Sequence, residues 1–171
     1  MPVLDRQSLE LISRSAEQTR RAGMRLGALL QPGDIICLVG NLGAGKTTLV
    51  QGLSAGWGSL DNASSPTFVL VNVYRRPDGE RLYHLDAYRL SGPAEATDLD
   101  LDTLLEQGPL VVEWADRIVA ALPASPGRSQ EYLWVTLNYI DDEQRDLVFT
   151  AYGPRYQAIL LELRRQLFGV L

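Results

Sequence analysis

Gly40-Asn41-Leu42-Gly43-Ala44-Gly45-Lys46-Thr47 is a complete G-x-x-x-x-G-K-[ST] phosphate loop. Its glycines let the backbone curl until successive N–H groups face one anion. A helix starting directly behind it adds the positive end of its dipole. In such a loop Lys46 reaches the β- and γ-phosphates of a nucleotide, and the Thr47 hydroxyl holds Mg2+. The segment read as nucleotide-binding is Leu42, Gly43, Ala44, Gly45, Lys46, Thr47 and Thr48. Lys46 is the only lysine among 16 Lys and Arg residues, so every other basic side chain is arginine. A compact ammonium at this single place suggests a geometry that a planar guanidinium does not meet.

Hydrolysis needs more than a phosphate loop: a metal held by hydroxyl and carboxylate, and a group that orients the attacking water. Two carboxylates at strand ends qualify. Glu113 closes the apolar run Leu110-Val111-Val112, and Asp86 closes Arg81-Leu82-Tyr83-His84-Leu85. In an extended strand His84, Asp86 and Tyr88 face one way. His84 is the only histidine. Structural roles compete here: Asp86 as a cap or a partner of Arg89, and His84 as a satisfied surface residue. Trp114, next to Glu113, reads first as core. Ser65-Pro66-Thr67 stands where phosphate-loop switches place a segment that senses the γ-phosphate.

The elements that must position these residues are legible around them. Ile35-Ile36-Cys37-Leu38-Val39 is a buried β-type run before the loop, and Thr47 to Leu53 starts a helix behind it. A short strand is expected at 9–13. Ser15-Ala16-Glu17-Gln18 resembles a capping box and opens a helix to about Leu30. Phe68 to Tyr74 and Arg81 to Asp86 flank Pro77-Asp78-Gly79, a hairpin signal. Glu95 to Gln107 and Ala115 to Leu122 read as helical. Tyr132 to Ile140 and Leu147 to Tyr152 read as a second hairpin across Asp141-Asp142-Glu143-Gln144, and Tyr156 to Phe168 as an amphipathic helix. Together they predict an α/β phosphate-loop NTPase fold of three layers, αβα, with a mixed parallel and antiparallel sheet. One domain over 1–171 is expected, its motif-bearing core at about 15–142.

Composition narrows the function. A net charge of −5 argues against a free-standing nucleic-acid binder. No apolar run has the length of a membrane span. Met1 to Arg6 lacks a basic region followed by an apolar stretch, so a cytoplasmic chain is expected. A single cysteine, Cys37, excludes an internal disulfide and a cysteine-based zinc cluster.

Four motifs in order then carry a resemblance: Leu42 to Thr48, Ser65-Pro66-Thr67-Phe68, His84-Leu85-Asp86-Ala87-Tyr88-Arg89-Leu90, and Val112-Glu113-Trp114-Ala115-Asp116-Arg117. The chain resembles the TsaE (YjeE) family, the small bacterial ATPase of threonylcarbamoyladenosine tRNA modification. The resemblance implies ATP and Mg2+ as cofactors, Thr47 and Glu113 as the metal ligands, and Lys46 and Asp86 as the residues that serve hydrolysis. It places Trp114 near the nucleotide and makes Ser65 to Phe68 the switch-like loop. It names TsaD and TsaB as partners, with tRNA met only through their complex. Leu99-Asp100-Leu101 departs from the family's Leu-Gly-Leu, which concerns a local turn and not the chemistry. Two other readings compete. A small-molecule kinase needs an arginine-rich lid, for which Arg117 and Arg128 are sparse. A nucleotide-gated binding module would lack useful turnover.

Overall fold

The structure, a computed structural model, describes residues 5–41, 43–61, 63, 70–124, 127 and 129–169. Among these, Leu42, the Ser65 to Phe68 loop and Arg128 are not included. The strands are β1 (Ser8–Ser13), β2 (Ile35–Val39), β3 (Val71–Arg75), β4 (Arg81–Asp86), β5 (Leu110–Glu113), β6 (Tyr132–Tyr139) and β7 (Arg145–Tyr152). The helices are α1 (Ala16–Gly27), α2 (Lys46–Trp57), α3 (Pro93–Thr97), α4 (Leu101–Gln107) and α5 (Pro154–Phe168).

Among the described residues the strands form one sheet in the order β1-β7-β6-β2-β5-β4-β3. β2 lies parallel to both its neighbours, β5 and β6, and β4 is parallel to β5. The pairs β3–β4, β6–β7 and β1–β7 are antiparallel. The mixed sheet expected from the two hairpin signals is therefore present. The absence of polar residues in Ile35 to Val39 follows from its central position. Both faces of β2 are covered, so alternation would bury polar groups.

One face carries α1, α2 and α5 over Leu26, Ile36, Leu38, Leu49, Leu53 and Phe149; the other packs Cys37, Leu85, Val112, Leu101 and Ile118. Glycine sets the spacing of α1 and α2. A Cβ on Gly27 would lie 2.1 Å from the Leu53 carbonyl oxygen, and one on Gly52 would lie 2.0 Å from that of Arg20. The two backbones meet with no side chain between them, which fixes the helix that begins at the phosphate loop. At the far end of the sheet, Tyr156 Oη accepts from the Ile35 N–H at 2.8 Å, and Arg155 donates to both oxygens of Asp34.

Several boundaries differ from the sequence reading. α1 stops at Gly27, and the next residues turn through Leu29 N–H to Leu26 C=O and Leu30 N–H to Gly27 C=O bonds. The 95–107 region divides into α3 and α4 because Asp100 takes φ 51°, the left-handed region that favours glycine. This is the Leu-Asp-Leu departure, and aspartate tolerates the conformation there while accepting a bond from Thr103 Oγ1. The helix expected over Ala115 to Leu122 is two 3-10 turns, Ala115–Arg117 and Val119–Ala121, interrupted at Ile118 with φ −132° and ψ 8°.

Candidate functional site

The phosphate loop joins β2 to α2 through Gly43 and Gly45, at φ 80° and 98°, which L side chains rarely adopt. Gly40 is needed for another reason: a Cβ there would meet the Leu137 carbonyl oxygen at 2.6 Å. The Ala44 N–H bonds to the Asn41 C=O at 3.0 Å and closes the turn. A Cβ on Gly43 would meet nothing within 4 Å, so its conformation and not crowding calls for glycine there.

Lys46, the first residue of α2, is buried at 6% exposure. Its Nζ donates to the Gly40 C=O and, at 3.0 Å, to the Asn41 C=O. Burial holds its pKa below the ordinary lysine range, against the opposing pull of the Glu113, Asp86 and Asp116 carboxylates. These charges gather because of sheet register. Leu38 pairs with Glu113, and Glu113 with Asp86, so Glu113 ends the strand beside the loop strand and Asp86 ends the next one, at the same end of the sheet. A cavity of about 370 Å3 is lined by Lys46, Thr47, Asp86, Glu113, Trp114 and Arg145, among others.

Gly43, Gly45, Lys46, Thr47 and Thr48 line the cavity together with Asp86 and Glu113. Ala44 is buried, and Leu42 lies outside the described residues. Asp86 caps the 3-10 turn Ala87–Arg89 by accepting from the Tyr88 N–H at 3.0 Å, so its structural role and its position at the site coexist. His84 is buried at 1% exposure and is not a surface residue; its Nε2 lies 2.6 Å from Glu113 Oε2. Tyr88 leaves the strand alternation because the chain turns after Asp86. Trp114 is half-buried at the site, with its ring under Lys46 Nζ at 4.3 Å.

Arg145 is the residue that sequence reasoning missed. It starts β7, donates from a terminal nitrogen to the Gly43 C=O at 3.0 Å, and lies over the Tyr139 ring. Its Nε is buried with no hydrogen-bond partner among the described residues. Its only signal was its place just after the turn 141–144. Reading that signal required knowing that the second hairpin lies beside β2.

The donor set suits a nucleotide with a hard cation. Among the described residues no three His, Cys, Asp and Glu side chains group to hold a metal unaided. Mg2+ fits such a site, since it takes one or two carboxylates and a hydroxyl and completes its shell with phosphate oxygens and water. The Thr47 hydroxyl and the Glu113 carboxylate are oxygens of that kind at the cavity, while Arg145 Nε and the loop N–H groups suit an anion. A larger cavity of about 590 Å3 lies beside Asp34 at the start of β2. Its Asp34 and Arg155 bond to each other, and it is remote from the loop. No helix among the described residues is long and apolar enough to cross a membrane.

Relatives agree with this architecture. The chain is 39% identical over 151 residues to the tRNA threonylcarbamoyladenosine biosynthesis protein TsaE of Bacillus subtilis, covering 87% of this chain and 89% of that one. It is 42% identical over 139 residues to the protein of the same name from Streptomyces coelicolor, covering 80% and 93%. The crystal structure of Bacillus subtilis YdiB superposes with a TM-score of 0.75 at 34% identity, covering 94% of this chain and 96% of that one. The profile of the family described as threonylcarbamoyl adenosine biosynthesis protein TsaE matches residues 13–147, and the chain belongs to that family, whose fold is that of the phosphate-loop NTPases.

Proposed function

We propose that the protein is a Mg2+-dependent ATPase that serves threonylcarbamoyladenosine modification of tRNA in the cytoplasm by cycling a TsaB–TsaD complex. The observation that carries the ATPase reading is the convergence of Lys46, Asp86 and Glu113 at the open side of the phosphate loop. The biosynthetic role follows from the family and from the names of its relatives.

Loop N–H groups, Lys46 and Arg145 bind the phosphates. Thr47 and Glu113 hold Mg2+, which when bound offsets charge on the β- and γ-phosphates. Asp86 accepts a hydrogen bond from the attacking water and orients it; the Tyr88 N–H fixes the carboxylate for that task. Trp114 and Tyr88, whose ring centroids are 5.0 Å apart, wall the cavity and reduce water access. The acidic balance of the chain makes unaided tRNA binding weak. Its nucleotide cycle therefore acts on partners: one that binds only the ATP form is released by hydrolysis, and the coupling is reciprocal.

The test is multiple-turnover tRNA modification by TsaB, TsaD and a threonylcarbamoyl-adenylate source. The protein is added as wild type, Lys46→Ala or Asp86→Ala. Wild type sustains repeated rounds and the variants stop after the first. Equal turnover with all three would show that hydrolysis is not what the protein contributes.

A further inference from the structure

Three buried polar side chains form a line from the edge strand to the site. Tyr74, His84 and Glu113 are 4%, 1% and 4% exposed. Tyr74 Oη lies 2.8 Å from His84 Nδ1, and His84 Nε2 lies 2.6 Å from Glu113 Oε2. Register produces the line. Asn72 pairs with His84, and His84 with Val111. Tyr74 and Glu113, each two residues further along, therefore share the face of His84 and stand on its diagonals.

The chemistry of the line has a direction. A carboxylate only accepts, so His84 Nε2 carries the proton and donates to Glu113. In a neutral ring Nδ1 is then the acceptor for the Tyr74 hydroxyl, and an imidazole bonded at both nitrogens is held against turning. Burying three polar groups is costly unless they satisfy one another, and apolar packing would fill the same space without that cost. Asp86 is held separately, by the Tyr88 N–H. The two carboxylates at the loop thus have different supports.

We propose that His84 is a positioning residue for Glu113, with Tyr74 as its own support. By fixing Oε2, His84 sets the plane of the carboxylate and so the direction in which Glu113 meets a divalent cation at the phosphate loop. The inference rests on Glu113 being a metal ligand, as read under Proposed function. His84 itself touches neither nucleotide nor metal. Outer partners of this kind typically change metal affinity by about 10–100-fold when removed.

The experiment titrates ADP into the full chain with and without Mn2+, and follows bound Mn2+ by electron paramagnetic resonance. The variants are His84→Leu, His84→Gln, Tyr74→Phe, Glu113→Gln and the double variant His84→Leu/Glu113→Gln. His84→Leu is expected to weaken Mn2+ binding to the ADP complex about tenfold. Tyr74→Phe weakens it less. Metal-free ADP affinity stays close to wild type in both. His84→Gln recovers most of the loss, because its amide N–H reaches the place of Nε2–H. In the Glu113→Gln background His84→Leu adds nothing, which a general packing defect would not reproduce. If His84→Leu fails to fold, Tyr74→Phe decides, since it removes only a hydroxyl. Wild-type Mn2+ affinity in the folded variants, or losses that add in full to that of Glu113→Gln, overturns the inference. If Glu113→Gln leaves Mn2+ binding unchanged, Glu113 is not a ligand and the reading beneath has failed as well.

Discussion

Lys46 Nζ lies 4.3 Å from the centroid of the Trp114 ring, and Trp114 holds that ring in place from a left-handed backbone with φ 57°. A bulky residue at positive φ costs about 1–2 kcal/mol. A cation over an indole contributes about 0.5–2 kcal/mol in return. Removing the ring in two ways separates these effects. Trp114→Gly relieves the backbone and Trp114→Ala does not, so the glycine variant should be the more stable by about 1 kcal/mol in thermal denaturation. An alanine variant more stable than the glycine one would mean that the backbone stores no strain there.

Lys46→Arg is expected to fail as fully as Lys46→Ala in ADP binding and ATP turnover. The buried ammonium fits between two loop carbonyls and an indole face. A planar guanidinium has neither the shape nor the direction of donors to replace it. Turnover and melting of both variants check this, and wild-type turnover by Lys46→Arg would refute the geometric reading.

Asp86 and Glu113 stand opposite each other in register but should fail differently. Glu113→Ala should weaken Mg2+-dependent nucleotide binding and hydrolysis together. Asp86→Ala should bind ATP nearly normally and lose about 10²–10⁴-fold in turnover, the range for a group that acts mainly in the transition state. Titration with and without Mg2+, beside single-turnover hydrolysis, separates the two. Equal loss of binding would collapse the distinction.

Gly27→Ala and Gly52→Ala should each destabilise the protein, although alanine is the better helix former by about 1 kcal/mol. The new methyl would meet backbone oxygen at 2.1 Å or 2.0 Å, and the opposing backbone must move to admit it. Overpacking of this kind costs about 1–3 kcal/mol or more. A net loss of about 2 kcal/mol lowers the melting temperature by about 4–8 °C in a chain of this size. An unchanged melting temperature would mean that α1 and α2 can separate freely.

Cys37 should resist alkylation in the native protein at pH 8 and react at once in denaturant. Burial in the centre of the sheet pushes its thiol pKa well above the ordinary range, and the thiolate is the reactive form. The linkage has a definite sign. The unfolded chain gives up the thiol proton first, so this group's contribution to stability declines as pH rises above the ordinary thiol pKa of about 8.5. Rapid iodoacetamide labelling of the folded protein would contradict the burial.

Much of this protein is determined by local sequence. The loop Gly40 to Thr47 is legible because glycine, lysine and threonine at fixed spacing serve the backbone and the ligand together. The strands at Ile35 to Val39 and Leu110 to Val112 are legible because a run without polar residues must be buried on both faces. Glu113 could be named because it closes such a run, and Asp86 because it closes the strand returning from the Pro77-Asp78-Gly79 turn. Boundaries at Gly27, Asp100 and Ile118 could not, since helix propensity there yields to close packing and a left-handed turn. The tertiary structure alone decided strand order. It brought β7 to the phosphate loop and so placed Arg145 against Gly43, 102 residues away in sequence. It also decided between the two roles open to His84, making it the buried link between Tyr74 and Glu113. Hydrogen bonding between strands is blind to sequence separation: any strand can pair with any other of compatible pattern. Register and neighbour are therefore chosen by the whole sheet at once, and the partners of a polar side chain become fixed only when that choice is made.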